Sequence, residues 1–153
     1  YSIVTPLTPM PEFTAEDVAV GRELFTSEDI GCLKCHGADG RGQTAANVVT
    51  PLKDVWGHDA RAADLTSGIF RGGSEPVDIY HRIYNGINGT PMPGFGTSQK
   101  IRDDPELLWK LVAYVLTVSG ERRAGTVPPI GEFTFAPYPI GAKEDKEKVA
   151  DEE

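Results

Sequence analysis

Long connections without periodicity set the main problem for any fold of this chain. The stretches 37–55 and 86–103, rich in Gly, Thr and Pro, carry neither a helical nor an alternating pattern. Connections of that length, set between only three helical segments, leave a compact core short of material, and they usually signal function or a missing component. A large apolar ligand at the centre resolves this, because the loops then pack against it rather than against each other.

The helical segments themselves are clear. Thr14 precedes Ala15, Glu16 and Asp17, an acidic first turn behind a capping residue. Val18, Gly21, Leu24 and Phe25 then recur at helical spacing over roughly three turns. A second, shorter helix is expected from a Ser74 cap, through Ile79, Tyr80, Ile83 and Tyr84, to a stop at Asn85-Gly86. The third has Asp104 as cap, Pro105 in the first position and an apolar stripe of Leu107, Leu108, Leu111, Val112, Val115 and Val118, ending at Gly120. No alternating strand pattern appears.

Composition divides the chain into three. Residues 1–15, with Pro6, Pro9 and Pro11, read as an extended arm or linker. Residues 16–120 hold both cysteines, all three histidines and nearly all the helical patterning. Residues 121–153 join a Pro- and aromatic-containing stretch to the ending KEDKEKVADEE, expected to be a solvated tail. The chain opens on Tyr1 with no charged-then-apolar leader, as expected of a mature or trimmed chain that has lost an export signal or membrane anchor. Fifteen Lys and Arg against 23 Asp and Glu give a net charge of −8, which argues against nucleic acid as a partner. No run approaches the ~18 apolar residues of a membrane span.

The chemistry lies at Cys32-Leu33-Lys34-Cys35-His36, the C-x-x-C-H pattern of covalent haem attachment. Two thiols three residues apart on a helical turn reach the two vinyl groups on one side of a porphyrin. The next imidazole then swings beneath the ring to bind iron through Nε2, and Gly37 lets the backbone pass close by. A redox disulfide belongs beside a strand in a βαβ context, and no strand precedes Cys32. A structural zinc needs four ligands, and the two other histidines, His58 and His81, stand at the wrong spacing.

For the sixth ligand the chain offers Met10 and Met92. Met10 lies in the arm. Met92 sits between Pro91 and Pro93 in an uncharged loop stiff enough to hold a thioether against iron, where mere gap-filling needs no locked backbone. His81, between Tyr80 and Arg82 on a helix, is expected to be exposed, and His58 is a loop residue. Met92 is therefore the favoured partner of His36 over a second histidine or an open site. With His and Met both bound, iron has no vacant position, the potential is raised, and one-electron transfer remains.

From about Ala15 to Gly120 the chain resembles a class I, mitochondrial-like, bacterial monohaem cytochrome c. The resemblance rests on GRELF at 21–25, CLKCHGADGRG at 32–42, GTPMPGFG at 89–96 and LLWKLVAYVLTVSG at 107–120. It implies an all-α cytochrome c fold, with N- and C-terminal helices crossing at Gly21 and Phe25 against Tyr114. It also implies one haem c attached through Cys32 and Cys35, with His36 as proximal and Met92 as distal ligand. Compared with compact members, residues 26–31 are extra and are expected to bulge before the motif. Members often place a proline carbonyl on the ligand histidine, and Pro51 is the candidate here. The stretch 56–73 resembles a variant in cytochrome domains serving larger respiratory enzymes. Trp56, Arg61 and Arg71 are its candidate propionate partners, the alternative being Trp56 in the core and solvated arginines.

The expected partners are a redox protein donor and acceptor, with no small-molecule substrate. Because thioether attachment follows export, the compartment is the periplasm or the outer face of the cytoplasmic membrane. Residues 89–98 carry no ionisable side chain, which predicts a weakly polar to apolar docking patch. Two roles stay open: a soluble or tethered shuttle, or the haem subunit of a larger oxidoreductase such as a terminal oxidase or molybdenum enzyme. A haem peroxidase or gas sensor needs an open site or a second haem, and a single C-x-x-C-H excludes a catalytic pair within the chain.

Overall fold

Thr14 opens the first helix, α1 (Ala15–Thr26), as the sequence predicts. Its hydroxyl accepts from the Asp17 amide, and the Asp17 carboxylate accepts from the Thr14 amide at 2.9 Å, a complete capping box. A computed structural model describes residues 5–123 of the chain. Among them follow α2 (Leu33–His36), a π-helical turn (Ala45–Val49) and a hairpin of β1 (Leu52–Lys53) with β2 (Asp59–Ala60). A 3₁₀ turn (Leu65–Ser67), α3 (Pro76–Asn85), α4 (Gln99–Asp103) and α5 (Leu107–Arg123) complete the order. The hairpin is antiparallel, with Leu52 opposite Ala60 and Lys53 opposite Asp59. No helix among the described residues is long and apolar enough to cross a membrane.

The core forms where α1 crosses α5. A Cβ placed on Gly21 would lie 1.9 Å from the Lys110 carbonyl oxygen, so only glycine permits this approach. Phe25 and Tyr114 meet beside the crossing, ring centroids 5.1 Å apart. On another side of α5, α3 buries Ile79, Tyr80 and Ile83, with Tyr80 and Trp109 at 4.4 Å. The 3₁₀ turn contributes a third contact through Leu65, which packs with Gly40 and Val118. Leu108, Trp109, Leu111, Val112, Val115 and Val118 are all buried. Covered from several directions, α5 is apolar nearly all round. Burying each large side chain contributes about 1.5–3 kcal/mol.

Several boundaries differ from the sequence reading. Glu75, not Ser74, caps α3, because Pro76 occupies its first turn and Glu75 forms a capping box with Asp78. The Asp104 carbonyl accepts from the Leu107 amide and its carboxylate from the Glu106 amide, so 104–106 is a tight turn and the α-helix begins at Leu107. At the far end α5 continues through Gly120, which is solvent-exposed and clashes with nothing, to Arg123. Ser98 caps the short α4 within a stretch read as irregular.

Residues 5–14 have no regular structure, yet they are anchored. The Leu7 amide donates to the Tyr80 hydroxyl at 3.0 Å, Trp109 Nε1 donates to the Thr8 carbonyl at 3.1 Å, and Phe13 lies 6.3 Å from the Trp109 ring. The tail expected at 121–153 falls, from residue 124 onward, outside the described residues.

Candidate functional site

Residues 27–30 form turns that end with the Gly31 amide on the Ser27 carbonyl at 2.9 Å, delivering the chain into α2. On that single turn sit Cys32, Cys35 and His36, with the His36 amide on the Cys32 carbonyl at 3.0 Å. Both thiols are free. Burial pushes the Cys32 thiol up to about 11, so it stays protonated. Gly37 ends the helix at φ +74°, a turn that a side chain disfavours.

His36 is held through its other nitrogen. Nδ1 donates to the Ala63 carbonyl at 3.1 Å, and the ring lies 6.2 Å from Phe25, itself buried against Tyr114. Desolvation lowers the imidazole pKa and the Ala63 carbonyl opposes it, the net direction being down. A neutral ring with its proton on Nδ1 leaves Nε2 as the free lone pair. The acceptor is Ala63 rather than Pro51, because the chain runs on through the π-turn and the hairpin before returning past the imidazole. No spacing rule in the sequence points to Ala63.

Asn47 was passed over by the sequence reading, and Arg41 also lies close to the motif. Arg41 is only 9% exposed and pairs with Asp39 at 3.5 Å just beyond the motif. Asn47 is buried in the π-turn and hydrogen-bonds to backbone at residues 42 and 62. Pi-helical turns are rare and gather at functional sites, but nothing in the run AANVV advertises one.

The Met92 loop is fastened to the end of α3 by backbone alone. The Phe95 amide donates to the Ile83 carbonyl at 2.9 Å, the Gly96 amide to Tyr84 at 3.0 Å, and the Ile87 amide to Met92 at 3.2 Å. A Cβ on Gly86 would stand 2.6 Å from the Met92 carbonyl oxygen, so the two strands of the loop touch. Met92 itself is partly buried. Trp56 lies over Gly89, where a Cβ would come within 2.8 Å of its ring, and the Val55 amide donates to the Gly89 carbonyl at 3.0 Å.

The rival ligands fare differently. Met10 is 57% exposed in the N-terminal arm, and His58 stands at the surface with Nδ1 3.4 Å from Asp54. His81 departs from expectation: it is partly buried, edge-on to Tyr80 at 5.9 Å, with Nδ1 enclosed and unpartnered among the described residues. Trp56 is 71% exposed and so is not core, while Arg61 and Arg71 are exposed.

These residues fit a covalently held haem. Two free thiols share one turn with an imidazole whose tautomer is fixed for ligation. Val49, Leu52, Val55, Trp56, Ile69 and Ile87, all from the connections between α2 and α4, are large apolar side chains left exposed by the protein itself. No group of three or more His, Cys, Asp or Glu suited to a metal ion occurs among the described residues, so a zinc centre finds no support there.

Comparison with known proteins gives the same direction. The family described as Cytochrome c matches residues 6–119. Among curated proteins none matches the chain. A solved structure, a chain of the "Kuenenia stuttgartiensis reducing HAO-like protein complex Kustc0457/Kustc0458", is similar at 33% identity with a TM-score of 0.61. The similarity covers 74% of this chain but 47% of that one, so the present sequence spans about half the length of its neighbour.

Proposed function

The chain belongs to the cytochrome c family, and from that premise we propose a bacterial, class I, monohaem electron carrier whose iron is closed by His36 and Met92. Family membership itself makes the protein a haem c-bearing electron carrier rather than an enzyme, working with redox proteins. The observation that carries the finer reading is the His36 Nδ1–Ala63 carbonyl hydrogen bond, which reserves Nε2 for the metal. Haem c supplies a reversible one-electron couple.

The chain's own residues do the rest. Cys32 and Cys35 would tether the group, and the single C-x-x-C-H of this sequence supports one haem. Phe25, itself packed on Tyr114, lies beside the imidazole. The fastened loop presents the Met92 thioether without needing a helix beneath it. Rigid ligation on both sides keeps the geometry alike in the two oxidation states. Residues 16–120 form the haem domain, with 1–15 as an arm and 121–153 as an extension. Attachment after export places it in the periplasm or on the outer face of the membrane.

Potentiometric titration of the matured protein tests this reading. A single one-electron wave, with no carbon monoxide bound by the ferrous form, is the expected result. Ready carbon monoxide binding contradicts a closed site.

A second reading, the haem subunit of a larger oxidoreductase, draws support from the likeness to a chain of a protein complex, of which the matched region makes up 47%. Co-purification with a larger assembly from the native host separates it from a free shuttle.

A further inference from the structure

We propose that Asn47 is a positioning residue, holding the Ala63 carbonyl on the His36 imidazole and so setting how strongly that ligand donates to iron. This rests on reading His36 as the proximal ligand. Asn47 is 6% exposed, and its amide is fully engaged: Nδ2 donates to the Gly42 carbonyl at 2.6 Å and to the Ala62 carbonyl at 3.1 Å, while Oδ1 accepts from the Ala62 amide at 2.5 Å. Only this orientation of the amide matches donors to carbonyls and the acceptor to an N–H.

These bonds close a circuit around the ligand. The Gly42 amide donates to the His36 carbonyl at 2.7 Å, which ties the start of the loop to the ligand's own backbone. Asn47 spans from Gly42 to both backbone groups of Ala62, as a strand partner would. Ala63 comes next, and the Leu65 amide donates to the Gly40 carbonyl at 2.8 Å on its far side. The Ala63 carbonyl is therefore suspended between two anchors, one of them the Asn47 side chain, and it returns to the imidazole. The π-turn that carries Asn47 is itself tied to the motif, since Thr44 Oγ1 donates to the Cys35 carbonyl at 3.3 Å. Gly42 completes the fit: its φ is +70°, and a Cβ there would stand 2.8 Å from Asn47 Nδ2.

A carbonyl accepting from Nδ1–H raises the basicity of Nε2 and favours the ferric state. Loosening the clamp weakens that donation, so the potential must rise. An asparagine that served packing alone would change stability without moving the redox equilibrium.

The test uses the matured holoprotein and reads potential together with solvent exchange of the His36 ring N–H by NMR. For Asn47→Leu, which keeps the branched skeleton and removes all three hydrogen bonds, the ferrous-to-ferric ratio at fixed potential should rise about tenfold, or about 59 mV for one electron. The ring N–H should also exchange at least tenfold faster, with haem content unchanged. Asn47→Ser, smaller and polar, gives the same comparison should the leucine variant fail to load haem. In the wild type the ring N–H and the Ala62 amide should exchange together, because one opening event releases both. A loaded variant with wild-type potential and wild-type exchange overturns the proposal, as does a wild-type ring N–H exchanging tenfold or more faster than the Ala62 amide. A ferric wild type whose His36 ring protons show no paramagnetic shift overturns the ligand assignment itself, a result distinguishable from either of these.

Discussion

A histidine becomes a dependable ligand only when its second nitrogen is occupied, and here a loop carbonyl 27 residues away occupies it. The sequence shows the ligand but not its brace. C-x-x-C-H is legible because thioether attachment and ligation need those residues at that spacing. Ala63 is invisible because a backbone carbonyl leaves no mark on residue type. Asn47 is hidden for a related reason: its amide works on backbone atoms of residues that are otherwise unremarkable. Two single-residue outcomes follow. Gly86→Ala places a Cβ against the Met92 carbonyl at a φ of +70°, so it should cost about 2 kcal/mol or more and loosen the loop; chemical denaturation and carbon monoxide binding would report both. Asp17 has its pKa lowered by the Thr14 side chain and then by the Thr14 backbone amide. A lowered folded-state value means that the stabilisation is present above the ordinary carboxylate pKa and lost as pH falls through the folded one. Asp17→Asn should therefore lower Tm at neutral pH, and the difference should vanish in acid below the carboxylate range.

At the scale of elements, α1, α3 and α5 are those the periodicity showed, whereas α2, which carries the ligand histidine, is legible only through the C-x-x-C-H motif. The Gly21–Phe25–Tyr114 crossing and the α5 stripe are as read because they depend on residues at fixed helical intervals, and the α1 cap is as read because Thr14 stands directly before the acidic first turn. What periodicity missed is short: α4, the two strands of the hairpin and the π-turn run two to five residues each, too few to show a period, and a cap or tertiary hydrogen bonds hold α4 and the π-turn. His81 was misjudged because sequence neighbours do not disclose what a helix face meets, and here the imidazole is partly buried with its Nδ1 enclosed. The crossing offers the clearest element-level test. Gly21→Val should force α1 off α5 and cost about 3 kcal/mol, with a fall in thermal stability and disturbance of the Phe25–His36 contact visible in the haem spectrum. Unchanged stability would mean that the two helices do not approach as closely as the 1.9 Å clearance requires.

At the scale of the whole molecule, the net charge of −8 and the uncharged loop 89–98 set the expectation for encounters with partners. If docking occurs over that loop, long-range steering contributes little. The electron-transfer rate should then change less than about tenfold between low and physiological ionic strength, the lower bound of steering enhancements. A steeper fall would place docking on a charged face instead. Truncation after Arg123 asks what the C-terminal extension does. A free shuttle should keep its rate and elute as expected for the smaller mass, whereas a subunit that docks through this segment should lose association with its partner. The most direct measurement for the account as a whole is the optical spectrum of the ferric protein and its Met92→Ala variant. The account predicts the weak sulfur-to-iron charge-transfer band at the red end of the spectrum in the wild type and its loss in the variant, with haem still attached. A wild type without that band, or a variant that retains it, would contradict ligation by His36 and Met92.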